Sequence, residues 1–159
     1  MKIIFSFIFI LSFSVKTNSQ SLIQIREQFY RAQISGESAD SFYLKMQSVT
    51  ASASALMIGY KGMAAFMLCN YSYNPYSKLK YFSEGKNLLD KAIELNNDNA
   101  ELRFLRYTIQ KNAPSFLGYN SNLNEDKQFV TKKISSEEFK ITDSDLYNRM
   151  VKYFSSENN

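Results

Sequence analysis

The chain has 159 residues, one cysteine, no histidine and a formal net charge of +4. The lack of histidine excludes Ser-His-Asp and Cys-His nucleophilic sites and zinc sites built on histidine, and a single cysteine excludes an internal disulfide. Acidic pairs such as Glu137-Glu138 fall at predicted helix starts, where carboxylates favour the helix dipole, so we expect no enzyme activity, no cofactor and no metal.

The first 19 residues resemble a secretory signal peptide. Lys2 precedes an apolar run from Ile3 to Val15, which has the length of a signal core and is short for a bilayer span. Thr17 and Ser19 place small residues at positions −3 and −1 of a cleavage before Gln20. We therefore predict export to the periplasm or the medium. An uncleaved membrane anchor is the second interpretation.

Cleavage would leave 140 residues, enough for one domain with its own core. It would also remove two lysines and lower the net charge to +2, which weakens any argument for a nucleic-acid partner. Five glycines and two prolines are too few for an all-β fold. We predict a single all-α domain over residues 20–154, built of six to seven antiparallel helices, and a frayed tail over 155–159.

Apolar residues at helical spacing predict the helices. They lie at about 21–33, 39–49, 51–69, 75–96, 99–112, 125–134 and 143–155. Ser35-Gly36 is expected to end the first helix, and Asn74-Pro75 to begin the fourth. Three pairs match the capping-box pattern: Asp98 with Glu101, Ser135 with Glu138, and Thr142 with Asp145.

The segment 51–69 is apolar on all sides, and Lys61 is its only charged residue. Such a helix is buried on several sides or lies in a membrane. Its many Ala, Ser and Gly residues make it weakly hydrophobic, which favours a central core helix over a span. Gly59 and Gly62 would let a neighbouring backbone approach closely.

Residues 85–102 resemble the second helix and the inter-repeat turn of a tetratricopeptide repeat (TPR). Gly85, Leu89 and Ala92 match the packed face of that helix. Upstream, Gly59 lies 26 residues before Gly85, where a regular repeat of about 34 residues allows only about a dozen, so the array would be degenerate. The resemblance implies a helical stack with a concave surface for a protein or peptide partner. Residues 103–119 also resemble small bacterial envelope proteins, a likeness that implies no activity.

Arg103, Arg106 and Gln110 form one polar stripe on the helix 99–112, with Tyr107 beside it. Paired guanidinium groups would suit a carboxylate or phosphate of a partner. The alternative, favoured for charged stripes in general, is a solvated face with local ion pairs, for instance to Glu101.

Aromatic residues near the following loop suggest a second feature. Tyr107, Phe116 and Tyr119 would form a recognition patch, unless the loop folds them back into the core, which is the favoured alternative. Cys69 is interpreted as a small buried hydrophobic residue.

Three functions stay open at this point. The first is a non-enzymatic protein–protein interaction module outside the cytoplasm, with an open concave face lined by Arg103, Arg106 and Tyr107. The second is a small-molecule or lipid-binding helical domain of the cell envelope, which would enclose an apolar cavity of roughly several hundred Å³. The third, an enzyme, has no supporting motif. Contact with a membrane is possible but less favoured, and no nucleic-acid partner is expected.

Overall fold

The computed structural model describes residues 18–157, with side chains from Leu22 onward, and these residues form eight α-helices and one short 3-10 turn. The helices are α1 (Asn18–Ala32), α2 (Gly36–Met46), α3 (Ala55–Tyr71), α4 (Pro75–Leu95), α5 (Ala100–Asn112), α6 (Leu123–Ile134), α7 (Glu137–Thr142) and α8 (Ser144–Glu157). The predicted all-α fold is confirmed. Residues 1–17, which hold the apolar run of the predicted signal peptide, lie outside the described residues, so export stays a prediction.

The boundary between the first two helices differs from the prediction. Helix α1 ends at Ala32, and Ser35 does not stop it but caps α2, with its hydroxyl accepting the Ser38 N–H at 3.2 Å. Serine is among the preferred N-cap residues, and Glu37 in the first turn adds a favourable charge. Helix α2 therefore begins three residues before the predicted position 39 and ends at Met46.

Helix α3 is the central element, as predicted for residues 51–69. All residues from Ile58 to Leu68 are buried except Lys61, whose ammonium group donates a hydrogen bond to the Val49 carbonyl at 2.8 Å. The one charge of the segment is thus satisfied at the edge of the core. Within residues 18–157, no helix combines the length and the hydropathy needed to cross a bilayer.

The close approach predicted for the glycines of α3 occurs against α4. A Cβ atom built on Gly62 would lie 2.8 Å from the Gly85 carbonyl oxygen, and one built on Gly85 would lie 2.9 Å from the Gly62 carbonyl oxygen. A Cβ atom on Gly59 would overlap a methyl group of Leu102 in α5. The backbones of α3 and α4 therefore touch directly, and only glycine fits at this crossing.

Two of the later caps are shifted by one residue. Asn99, not Asp98, caps α5, and its side chain accepts the Leu102 N–H at 3.0 Å. At α8 the Leu146 N–H donates to the Asp143 carboxylate at 3.2 Å, so Thr142 is not the capping residue. Asn, Asp and Thr all suit the N-cap position, so the residue that caps the helix is determined by where the helix begins.

The structure also differs from the predictions for the start of α7 and the end of α8. The N-cap of α7 is Ser136, which makes no side-chain capping bond, so the capping box predicted at Ser135 and Glu138 does not form. Helix α8 continues to Glu157, so it includes the first three residues of the tail that we expected to fray from residue 155. A hydrogen bond from Tyr107 to the Glu157 carboxylate holds this last turn.

The buried side chains divide into two hydrophobic clusters. The larger cluster lies among α1 to α5 and contains, for example, Phe29, Met63 and Leu89. The smaller cluster lies between α5, α6 and α8, with Val130 and Met150 fully buried. Helix α5 contributes to both clusters and therefore separates an N-terminal from a C-terminal half of the fold.

A buried charge network joins the two halves. The guanidinium group of Arg26 in α1 donates two hydrogen bonds of 2.6 Å to Glu101 of α5, and two more, of 2.7 and 3.2 Å, to Asp143 at the start of α8. The Tyr60 hydroxyl of α3 donates to the same Glu101 carboxylate at 2.6 Å. Burial lowers the pKa of Arg26, but its hydrogen bonds to both carboxylates and their negative charges outweigh burial and raise that pKa overall. The network therefore joins α1, α3, α5 and the start of α8 at one point.

The crossing of α3 and α4 yields a first prediction. Gly62→Ala should lower the free energy of unfolding by about 1–3 kcal/mol, because the added methyl group would force two backbones apart. Gly36→Ala is the matched control: its Cβ would meet Tyr71 at 3.5 Å, an ordinary contact. Urea denaturation measures both, and an equal effect of the two substitutions would contradict the close crossing.

The charge network yields a second prediction. Glu101→Gln keeps the shape of the side chain but removes the charge that Arg26 faces, and should destabilise the fold by about 3 kcal/mol. Glu94→Gln removes an equivalent charge from an exposed pair with Lys91 and should change stability by less than about 1 kcal/mol. Thermal unfolding measures the stability of the two variants. If Glu101→Gln lowers stability as little as Glu94→Gln does, the charge network described here is wrong.

Candidate functional site

The polar stripe predicted on α5 is covered by α6. Arg106 is buried and donates two hydrogen bonds, of 2.6 and 2.9 Å, to Asp126 of α6. Arg103 donates a third to the same carboxylate at 2.9 Å. Asp126 is completely buried. Paired guanidinium groups do bind a carboxylate here, but the carboxylate belongs to this chain. The alternative of a solvated face with Glu101 is also wrong, since Glu101 pairs with Arg26.

Gln110 completes the stripe at its far end. Its side chain is buried, and neither amide atom finds a hydrogen-bond partner among the described residues. Arg103 also bonds to Glu125 and lies over the ring of Phe129, so its head group is engaged on several sides. The predicted open face lined by Arg103, Arg106 and Tyr107 is therefore absent from this part of the chain.

The three aromatic residues predicted as a patch do not meet. Tyr107 is buried beside Phe154 and donates its hydroxyl to Glu157 at 2.8 Å. Tyr119 packs between Phe66 and Phe82 and donates to Asp90. The favoured alternative, a loop folded back into the core, is confirmed for Tyr119.

Tyr107 and Tyr119 both have raised pKa values, which favours their neutral hydroxyl form. Burial and the hydrogen bond to Asp90 raise the pKa of Tyr119 far above its usual value. Burial and the bond to Glu157 do the same for the pKa of Tyr107. These hydroxyl groups are fixed neutral donors in structural contacts. Phe116 differs from both, because 82% of its surface is exposed.

An apolar cavity of about 740 Å³ lies where the two halves of the fold meet. Its deepest lining residues are buried side chains from three helices: Phe29 of α1, Met63, Phe66 and Met67 of α3, and Phe104 and Leu105 of α5. Ligand-binding pockets usually have volumes of about 300–1,000 Å³ and predominantly apolar walls. The size and lining of this cavity fall within that class.

The mouth of the cavity is marked by the exposed residues among its lining. They belong to the N-terminal turns of α4, with Lys78 and Leu79, and to the segment that follows α5, with Pro114 and Phe116. Lys78 and Arg149 are the charged residues of the lining, and no carboxylate from the described residues joins them. The cavity is thus apolar inside and positive at its edge.

The two cations differ in their freedom to bind a ligand. Arg149 is paired with Asp145 at 2.8 Å, and its guanidinium carbon lies 3.9 Å from the centre of the Tyr30 ring. The Lys78 ammonium group forms no ion pair with the side chains described between residues 22 and 157. Lys78 is therefore the cation that is free to meet an anionic group.

A second, smaller cleft of about 430 Å³ lies between α1 and the start of α8. It is lined by charged side chains that already pair with each other, Arg26 with Asp143 and Arg149 with Asp145. In the part of the chain that the structure describes, no three acidic, histidine or cysteine side chains are grouped as a metal site would require.

Cys69 lies in the wall of the large cavity and is half-buried rather than fully buried as predicted. Burial raises the pKa of its thiol, and the positive charge of Lys78 opposes this only in part. The thiol is a natural reporter of access to the cavity.

The lipid-binding alternative included an apolar cavity, but the sequence did not indicate which helices would enclose it. The one available sign was Leu79, which fits the apolar spacing of α4 yet is 53% exposed, because no helix covers it. An apolar residue that fits the helical spacing of core positions but has no helix packed over it is typical of an open cavity wall.

Comparison with known proteins found no relative: no protein-family model, no curated protein and no solved structure matches the chain. The likeness to a TPR therefore rests on residues 85–102 alone and stays a prediction.

The environment of Cys69 gives a third prediction. Alkylation requires the thiolate, so the rate measured with iodoacetamide should reach its midpoint at a higher pH in the folded chain than in urea. Below that pH the folded chain should react several-fold more slowly than the unfolded one. Cys69 is the only cysteine, so the unfolded chain is its own control. Superimposable rate–pH curves would show that the thiol is not buried in a cavity wall.

Proposed function

We propose that this protein binds a lipid-like small molecule, an amphiphile with a hydrocarbon chain, in the cavity between α1, α3, α5 and α8. The observation that carries the proposal is the apolar cavity of about 740 Å³ with a free lysine at its mouth. The role is binding without catalysis, since the lining supplies no paired carboxylates. With the predicted signal peptide, binding would take place outside the cytoplasm.

The chemistry of the walls supports a hydrocarbon ligand. Met63 and Met67 are flexible and polarisable, and adapt to chains of varied shape. Phe29, Phe66 and Phe104 supply rigid apolar surface around them. Burial of each methylene group is worth about 0.8 kcal/mol, so a chain of about ten carbons supplies enough free energy to offset the loss of its freedom.

The mouth supports a polar or anionic head group. Lys78 provides the charge, while the side chains of Asn70 and Asn112 at the same edge provide amide donors and acceptors. An amphiphile would place its chain inside and its head among these groups.

The interaction module predicted from the sequence is supported less well. It depended on an open face lined by Arg103, Arg106 and Tyr107, and these side chains are bonded to Asp126 and Glu157. A protein partner that used them would have to break these internal bonds first.

A cavity-filling variant gives the fourth prediction. Thr108 lines the cavity, and Thr108→Phe should place a ring inside it and weaken binding of the fluorescent fatty acid cis-parinaric acid at least tenfold. Thr131→Phe is the matched control: Thr131 also bonds its hydroxyl to a preceding helix carbonyl, but it lies exposed on α6.

Fluorescence titration of the purified chain measures the affinity, and circular dichroism shows whether both variants are folded. The fatty acid should also slow the alkylation of Cys69 in the wild-type chain. Binding that is undetectable, or equal in the two variants, would reject the cavity as the binding site.

A further inference from the structure

The face around the cavity mouth has a second property, the exposure of large apolar side chains, and the choice of its partner below rests in part on the proposed function. The large side chains Tyr73, Tyr76 and Phe116 are 100%, 85% and 82% exposed, and Leu79 between them is 53% exposed. Other large apolar residues with high exposure, such as Leu44 and Ile141, are aliphatic and scattered over other helices. Tyr73 and Tyr76 lie at the start of α4, and Phe116 lines the same cavity mouth as Leu79 of that helix.

The charges of this face have a single sign. No acidic residue occurs between positions 41 and 83, or between 102 and 124, the two stretches that supply the exposed aromatic residues. Lys78 and Lys80 stand among the exposed aromatics and form no ion pair with other residues described between 22 and 157. Tyr76, Leu79 and Lys80 follow each other at helical spacing, so they share one side of α4.

We propose that this face, formed by Tyr73, Tyr76, Lys78, Leu79, Lys80 and Phe116, docks on the surface of an anionic lipid bilayer. Tyrosine and phenylalanine favour the membrane–water interface, where the ring is partly dehydrated and the tyrosine hydroxyl stays hydrated. Each lysine close to an anionic leaflet adds attraction that falls off within a Debye length.

Continuity with the cavity favours a bilayer over a protein as the partner. Leu79 and Phe116 belong both to the docking face and to the cavity lining. A hydrocarbon chain leaving the bilayer at this point would enter the cavity without crossing water. An anionic protein surface would satisfy the two lysines but would give the aromatic side chains no apolar phase to enter.

The test uses sedimentation with vesicles of phosphatidylcholine alone and vesicles in which part of it is replaced by phosphatidylglycerol. The purified chain should bind the anionic vesicles, and added salt should weaken that binding. Lys78→Gln with Lys80→Gln should reduce the affinity roughly tenfold. Tyr76→Ser with Phe116→Ser should reduce it on the same scale.

Two controls match these variants. Ile141→Ser removes an apolar side chain that is 80% exposed on α7, and Lys132→Gln removes an exposed lysine of α6. Neither should change vesicle binding. Because all variants share one N-terminus, checked by mass spectrometry, any contribution of the apolar run 3–15 cancels in the comparison.

The variant Thr108→Phe separates this proposal from the proposed function. It should bind anionic vesicles like the wild-type chain even though it binds cis-parinaric acid at least tenfold more weakly. Absence of vesicle binding, equal binding to both vesicle types, or equal losses in the control variants would overturn the docking face. A self-association of the wild-type chain that Tyr76→Ser with Phe116→Ser abolishes, without vesicle binding, would identify a second copy as the partner instead.

Discussion

Arg26 carries a guanidinium group into the interior, and the arrangement of the helices depends on how that charge is satisfied. A buried cation costs several kcal/mol unless acceptors surround it. Here Glu101 and Asp143 accept four of its hydrogen bonds, and Tyr60 completes the cluster. The partners lie 75 and 117 residues away along the chain, so the network closes only when α1, α3, α5 and the start of α8 have all assembled.

The cavity follows from this fastening. Helix α8 is held at its start by Asp143 and in its last turn by the bond between Glu157 and Tyr107. Between these two points Leu146 and Met150 of α8 pack in the smaller cluster, while Arg149 lies over the Tyr30 ring of α1. The cavity lies beside this contact, and Tyr30, Arg149 and Tyr153 belong to its lining. The candidate binding site is thus a product of the same contacts that join the halves of the fold.

Periodic apolar spacing was enough to locate the long helices, because it reports local burial. It did not resolve which of two adjacent polar residues becomes a cap, as at Asp98 and Asn99, since both types suit that position. The pairing of Glu101 with Arg26 could not be foreseen either, because nothing local distinguishes a distant partner from a neighbour on the same helix. The cavity is a space between helices, and the exposed Leu79 was its only trace in the sequence.

The direct contact of Gly62 with Gly85 also determines where this molecule can move. Because no side chain separates the middle parts of α3 and α4, we expect them to move as one unit and their amide hydrogens to be among the slowest to exchange with solvent. Before Gly85, the rings of Tyr81 and Phe82 still pack against Tyr43 and Phe66, so only the first turns of α4, with Tyr76, Lys78 and Leu79, extend past these contacts. We therefore expect local opening at this end of α4, where a ligand would enter, rather than at the crossing of α3 and α4.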